Sequence, residues 1–261
     1  MTLPVFLFVL AFVFGAVVGS FLNVCICRIP LDESIVSPPS RCPQCHASIR
    51  WFDNIPILSY LILRGKCRRC GKRISIQYPL VELLNGLLSM ALMFRFGPTL
   101  EYGVFFVFCS ALVVVTFIDI EHQIIPDQIS LPGIVLGFIL SFFMEGHSWL
   151  DSLLGILLGG GSLLFVAYAY HWLTKKDGMG GGDIKLLAMM GAFLGWVSIP
   201  FIIFASSFVG SIAGISLMCF RNQNSKLALP FGPYLAFGAL LYIFFGHDLI
   251  SWYLSLSGFQ R

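Results

Sequence analysis

Residues 178–220 read GMGGGDIKLLAMMGAFLGWVSIPFIIFASSFVGSIAGISLMCF. The apolar run from Leu186 to Phe220 is too long for one bilayer crossing, which takes about 20 residues. Gly195, Trp196 and Pro200 interrupt it as turn and interface residues. The stretch therefore reads as two spans, 184–199 and 201–220, with an acid, Asp183, at the threshold of the first.

The rest of the chain follows the same pattern. Of its 261 residues 57% are apolar and 11% charged, and its mean hydropathy is +0.88. A soluble domain carries about 25% charge, so a soluble class is excluded. Further apolar runs fall at 3–22, 79–96, 103–120, 129–145, 150–173 and 231–254, predicting an all-α polytopic membrane protein with about eight transmembrane helices. The first run has no basic segment before it and no small-residue cleavage signal followed by a soluble domain, so it reads as a retained span.

Charge placement gives the orientation. Nine of the sixteen Lys and Arg fall between Arg28 and Arg73. With eight spans, the loops 23–78, 121–128, 174–183 and 221–230 share one side. Lys175, Lys176, Lys185, Arg221 and Lys226 lie in or beside them, and the other side keeps Arg95 and Arg261. Basic residues gather on the cytoplasmic side. This predicts an outside N-terminus, a cytoplasmic domain over 23–78 between the first and second spans, and a seven-helix membrane core over 79–261.

The cytoplasmic domain holds two CxxC pairs, Cys42/Cys45 and Cys67/Cys70, with 21 residues between them. Two thiolates at this spacing chelate one ion from a tight turn, and two such turns complete a tetrahedral sulfur site. A reducing compartment argues against disulfides. A closed four-sulfur set predicts structural Zn²⁺ with no position left for water. His46 reads as a surface residue, and Cys25, Cys27, Cys109 and Cys219 as small packing residues.

Acids in or beside apolar spans are functional candidates by default. Here they are Glu82, Asp119, Glu121, Asp127 and Asp183. For Glu121 and Asp127 a solvated face serves equally well, and Asp127 after Pro126 could cap the fourth span. Asp119 ends the third span and Asp183 opens the sixth, on the same predicted side. Two carboxylates in a low-dielectric pocket cannot both ionise easily. One can then activate water while the other, protonated, polarises a peptide carbonyl. The glycines before Asp183 would let an extended substrate backbone approach. A flexible loop is their bland reading. A phosphate nest is disfavoured, because no strand precedes them and the P-loop Lys-Ser/Thr is missing.

Taken together, GSFLNVCICRIP (19–30), the twin CxxC enclosing NIPILSYLILRGKC, YPLVE (78–82), IDIEHQIIPD (118–127) and GMGGGDIKL (178–186) resemble the bacterial type IV prepilin peptidases. These are membrane aspartyl proteases of the GxGD group, and the likeness runs along almost the whole chain. It implies that Asp119 and Asp183 are the catalytic pair, that Gly180 and Gly182 form the GxGD turn, and that Cys42, Cys45, Cys67 and Cys70 hold zinc. It further implies cleavage of a basic leader from prepilins or pseudopilins at the cytoplasmic face of the inner membrane. S-adenosylmethionine-dependent N-methylation of the new N-terminal residue would follow. The implied partners are pilin precursors and the bilayer, with no nucleic acid. Glu82 is a candidate for binding the substrate's new amino group, and Glu121, Asp127 and Lys185 are further substrate-binding candidates. Gln77 departs from the family pattern, where a basic residue is expected, and bears at most on methylation. No Rossmann glycine signature marks a donor site. The rival classes are a proton-coupled transporter, which calls for mid-bilayer acids and an inverted repeat, and a non-enzymatic zinc-domain scaffold, in which both aspartates would be replaceable.

Overall fold

The computed structural model describes residues 4–144, 146–175, 180–221 and 230–256. Gly178, Met179, Lys176, Lys226 and Arg261 lie outside the described residues, as does the Arg221 side chain. The helices are α1 (Val5–Arg28), α2 (Leu58–Ile62), α3 (Gln77–Phe96), α4 (Leu100–His122), α5 (Asp127–Leu140), α6 (Trp149–Thr174), α7 (Gly181–Leu194), α8 (Ser198–Arg221), α9 (Gly232–Leu241) and α10 (His247–Leu256). A π-helical turn, Tyr242–Gly246, joins α9 to α10. Among the described residues there is no strand, only the isolated antiparallel bridges Arg41–Ser48 and Lys66–Arg73. The all-α polytopic expectation is met.

The expected count of eight full spans is not. Among the described residues six helical stretches are long and apolar enough to cross a membrane: Val5–Leu31, α3, α4, α6, Ser198–Cys219 and Gly232–Tyr253. The stretches expected at 129–145 and 184–199 overlap α5 and α7, which have 14 residues each. At 1.5 Å per residue such a helix is about 21 Å long, short of the roughly 30 Å hydrocarbon layer. Gly195, at φ 78°, ends α7 and donates to the Gly191 carbonyl at 2.9 Å. The run beyond Leu186 is thus two helices, as expected, but with the break at 195–197.

The chain forms two compact units, residues 1–118 and 119–261. In the first, α1 lies along α3. Gly15 and Gly19 are spaced as in a small-xxx-small motif, which lets two backbones approach closely. A Cβ on Gly15 would sit 2.6 Å from the Asn85 carbonyl, and one on Gly19 would sit 2.8 Å from Glu82 Cα. Buried amides and hydroxyls then bridge the pair. Asn85 donates to the Gly15 carbonyl at 2.7 Å, Ser89 to the Ala11 carbonyl at 2.7 Å, and Asn23 to the Tyr78 carbonyl at 3.0 Å. Cys25 and Cys109 are buried packing residues as expected, whereas Cys27 and Cys219 are exposed.

In the second unit α7 is the hub, packed against α5, α6, α8 and α9. Gly155 and Gly159 of α6 place its backbone against the α7 backbone at Gly191 and Leu187, and Ser152 donates across to the Ala192 carbonyl at 2.8 Å. Ser148 and Asp151 form a reciprocal capping box that starts α6.

Candidate active site and metal centre

Asp119 lies in the last turn of α4. That helix stops because Gln123, at φ 55°, turns left-handed while its N–H still bonds the Asp119 carbonyl at 2.9 Å. The chain runs on through Ile124 and Ile125 to Pro126, which starts α5. Asp183 sits in the first turn of α7. Two contacts bring these motifs together. A Cβ at Gly182 would lie 2.8 Å from the Ile125 Cβ, so that glycine is what lets Ile125 pack there. Lys185 also donates to both carboxylate oxygens of Asp127 at 2.7 Å. This pair is half-exposed and stabilises by at most about 1 kcal/mol, so its use is registration of α7 against α5.

Asp119 is 5% exposed and Asp183 is half-buried. What acts on Asp183 among the described residues is burial and the charge of Asp119. The two carboxylates are therefore within electrostatic reach in a poorly solvated place, where a shared proton is favoured. They differ in their partners, because Oδ2 of Asp119 accepts the backbone N–H of Gly232 at 2.9 Å. Gly180 precedes α7 with ordinary extended angles, φ −71° and ψ 140°. A side chain at Gly181 would meet nothing within 4 Å, and one at Gly180 only the Asp183 carboxylate at 4.0 Å. The glycines thus divide, 182 taken by Ile125 and 180–181 facing open space.

The remaining candidates each have partners of their own. Glu121 is exposed, its carboxylate 3.9 Å from the adjacent His122 ring. Asp127 engages Lys185, and the cap of α5 is Pro126 with no side-chain capping bond, so the capping alternative for Asp127 fails. Glu82 belongs to the first unit, where its Oε2 accepts the Ile57 N–H at 2.7 Å. Ile57 holds φ 62°, an outlier for a β-branched residue, and the buried carboxylate anchors it. Gly232 was not among the sequence candidates. The signal was there in PFGPY (230–234), a Gly-Pro opening to an apolar run.

The candidate metal site consists of two matching turns. Cys42 donates to the Ala47 carbonyl at 2.9 Å and Cys67 to the Lys72 carbonyl at 2.8 Å. His46 (φ 53°) and Gly71 (φ 68°) occupy the same left-handed position after the second cysteine. His46 is exposed, as expected of a surface residue. All four sulfurs lie within 4.8 Å of one another, with Cys42 and Cys70 at 3.9 Å. Zinc with Zn–S bonds of about 2.3 Å needs sulfurs about 3.8 Å apart, so this set fits the ion with a small contraction. Backbone N–H groups of Cys70 and then Arg69 draw the Cys67 thiol down to about 7. The Lys72 N–H acts in the same sense on Cys70, but burial and the neighbouring thiols outweigh it and push that thiol up to about 11, so without an ion the four thiols do not ionise together. Arg68 braces the domain through a two-oxygen bond to Asp53 at 2.7–3.0 Å.

Two family models cover most of the chain. Residues 13–96 match the Bacterial Peptidase A24 N-terminal domain, and residues 106–215 match the Type IV leader peptidase family. Three proteins named prepilin leader peptidase/N-methyltransferase are similar over nearly the full length. The one from Pseudomonas putida is 37% identical, covering 98% of this chain and 96% of its own. That from Aeromonas hydrophila is 38% identical, covering 97% and 96%, and that from Pseudomonas aeruginosa is 38% identical, covering 94% and 93%. No solved structure matches. A twin-CxxC domain, two motif aspartates at helix ends and this length of likeness lead to one conclusion: the chain belongs to the type IV leader peptidase family.

Proposed function

We propose that this protein cleaves the leader from type IV prepilins or pseudopilins at the cytoplasmic face of the inner membrane, with Asp119 and Asp183 as the catalytic pair. In this reading it then N-methylates the exposed N-terminal residue. The observation that carries the proposal is the meeting of IDIEHQIIPD and GGGDIK through Ile125–Gly182 and Asp127–Lys185, motifs that bear a buried and a half-buried carboxylate, one of which feels the charge of the other.

The ionised carboxylate takes a proton from water as that water attacks the scissile carbonyl. The protonated carboxyl donates to the carbonyl oxygen, and the proton held by the first then passes to the leaving amine. A precursor would enter laterally, its apolar helix in the bilayer and its basic leader in the cytoplasm, laying the scissile peptide along the open edge of Gly180 and Gly181. Glu121, near Asp119 in sequence, and the Asp127–Lys185 pair are kept as substrate-contacting candidates. Zinc on Cys42, Cys45, Cys67 and Cys70 cross-links the two turns of the 23–78 domain and supplies rigidity, not chemistry. The methyl donor is S-adenosylmethionine. The described residues include no strand-to-helix glycine turn of the dinucleotide type, so no residues are assigned to it.

The test is co-expression with a pilin-like substrate, read by mass for loss of the leader and for a methyl increment. Asp119→Asn and Asp183→Asn should each lower cleavage by about 10²–10⁴-fold, the usual worth of a positioned acid or base, with the protein still inserted. Full processing by either variant overturns the assignment.

A further inference from the structure

The Asp119 carboxylate meets the start of α9 in a way that distinguishes it from Asp183. Gly232 is the first residue of α9, and its N–H reaches Oδ2 of Asp119 at 2.9 Å across 113 positions of sequence. The first N–H groups of a helix lack intrahelical partners, and the helix dipole favours negative charge there. A hydrogen bond given to the charged form of an acid favours that form. Glycine is required at 232 for space. A Cβ would lie 2.7 Å from Oδ2, 3.3 Å from Cγ and 3.5 Å from Cβ of Asp119.

The surroundings hold this amide in place. Pro233 fixes the backbone of the first turn, and the N–H groups of Tyr234 and Leu235 both bond the Phe231 carbonyl at 3.1 Å. Further along α9, Gly238 packs against α8, where a Cβ would sit 3.0 Å from the Ile202 carbonyl. The donor is therefore seated by packing that does not involve substrate. Burial acts on both carboxylates; among the described residues Asp119 has the Gly232 amide besides, and Asp183 the charge of Asp119.

We propose that Gly232 is a positioning residue whose backbone N–H holds Asp119 as the ionised member of the pair, which leaves Asp183 to carry the shared proton. Asp119 is then the base that activates water, and Asp183 the acid that polarises the carbonyl. This inference rests on the reading of Asp119 and Asp183 as the catalytic pair.

The test uses the full-length enzyme in nanodiscs with a pilin-like substrate. Gly232→Ala should lower kcat by about 10–100-fold with KM changed less than about twofold, and should raise the acidic limb of kcat/KM by about one pH unit. Gly86→Ala, where an added Cβ would meet the Phe12 ring at 2.9 Å between α3 and α1, is the control: it should lower thermal stability and leave the limb in place. The titratable groups on the elements meeting here are Asp183 on α7, Glu121 and His122 at the end of α4, the Asp127–Lys185 pair, and Tyr234 on α9. All are retained in both variants, so a shifted limb reports the amide. Pro233→Ala keeps the amide and the space but loosens the turn, and should give a smaller fall in kcat with the same sign of limb shift. A Gly232→Ala enzyme with wild-type kcat and limb overturns the inference, as does one that loses activity only in proportion to its folded fraction. If that variant does not fold, an unmoved limb in Pro233→Ala overturns it. Full processing by Asp119→Asn sinks the dyad itself, whereas an inactive Asp119→Asn beside a wild-type-like Gly232→Ala sinks only the role of the amide.

Discussion

Gly181 and Gly182 are neighbours in sequence and opposite in burden. Neither has a left-handed φ, so neither needs glycine for its backbone. A methyl on Gly182 would meet the Ile125 Cβ at 2.8 Å, while one on Gly181 would meet nothing within 4 Å. Overpacking of this kind costs about 1–3 kcal/mol, and its effect falls on the contact that seats Asp183 beside Asp119. Gly182→Ala should therefore lose most cleavage, and Ile125→Ala added to it should restore part by removing the clash. Gly181→Ala should keep near-wild-type cleavage and, as a better helix former, gain up to about 1 kcal/mol of stability. Substrate-cleavage rates and thermal unfolding of the three variants check this. Equal loss from both glycines would show that the loop serves by flexibility and not by fit.

At the scale of elements, the two cysteine turns are near copies, differing at the left-handed position that His46 holds on one and Gly71 on the other. Gly71→Ala should weaken the second turn by about 1–2 kcal/mol, whereas His46→Gly should leave zinc content intact, since His46 is exposed and outside the four-sulfur set. Cys42→Ser should remove the metal, whose binding is worth about 10–16 kcal/mol of folding free energy in zinc-finger peptides. The 23–78 segment should then become protease-sensitive while the aspartate pair still cleaves. Metal analysis and limited proteolysis decide it, and a metal-free wild type with an intact segment would refute the zinc assignment. These turns were readable from sequence because every ligand is fixed by a spacing of three residues. The paired acids were readable because charge is rare in apolar runs. The Gly232 bond was not, since it closes over 113 residues and glycine carries no chemical label for a missing side chain. The ends of α5 and α7 were also misjudged. Apolar composition continues past Leu140 and Leu194, but the left-handed turn at Gly195 ends α7 whatever the hydropathy beyond it.

For the membrane core as a whole, the short helices raise a question of parity. Asp119 and Asp183 lie at the two ends of a segment made of α5 and α6, and Gly182–Ile125 and Asp127–Lys185 tie those ends together within one compact unit. The 26 residues of α6 extend about 39 Å, enough to cross the bilayer. If α5 did not cross, one crossing by α6 would leave the two ends on opposite faces, which those contacts forbid. A membrane-crossing α6 then calls for a return through α5 with the turn that follows it, Ser141–Met144, even though α5 alone is about 21 Å long. A short span is tolerated where the bilayer thins or flanking residues reach the interface, at a fraction of a kcal/mol per Å. Phe142 and Phe143, both largely exposed after α5, supply such flanking apolar surface. The prediction concerns sidedness in the full-length protein. An epitope tag inserted after Phe143 should be cut by protease added outside spheroplasts. The same tag inserted after Lys175 should be protected until the cells are lysed, in keeping with the basic residues placed on that side. Protection of both tags would make α5 and α6 a re-entrant pair, and cleavage after Lys175 alone would reverse the orientation and place the aspartates on the outer face.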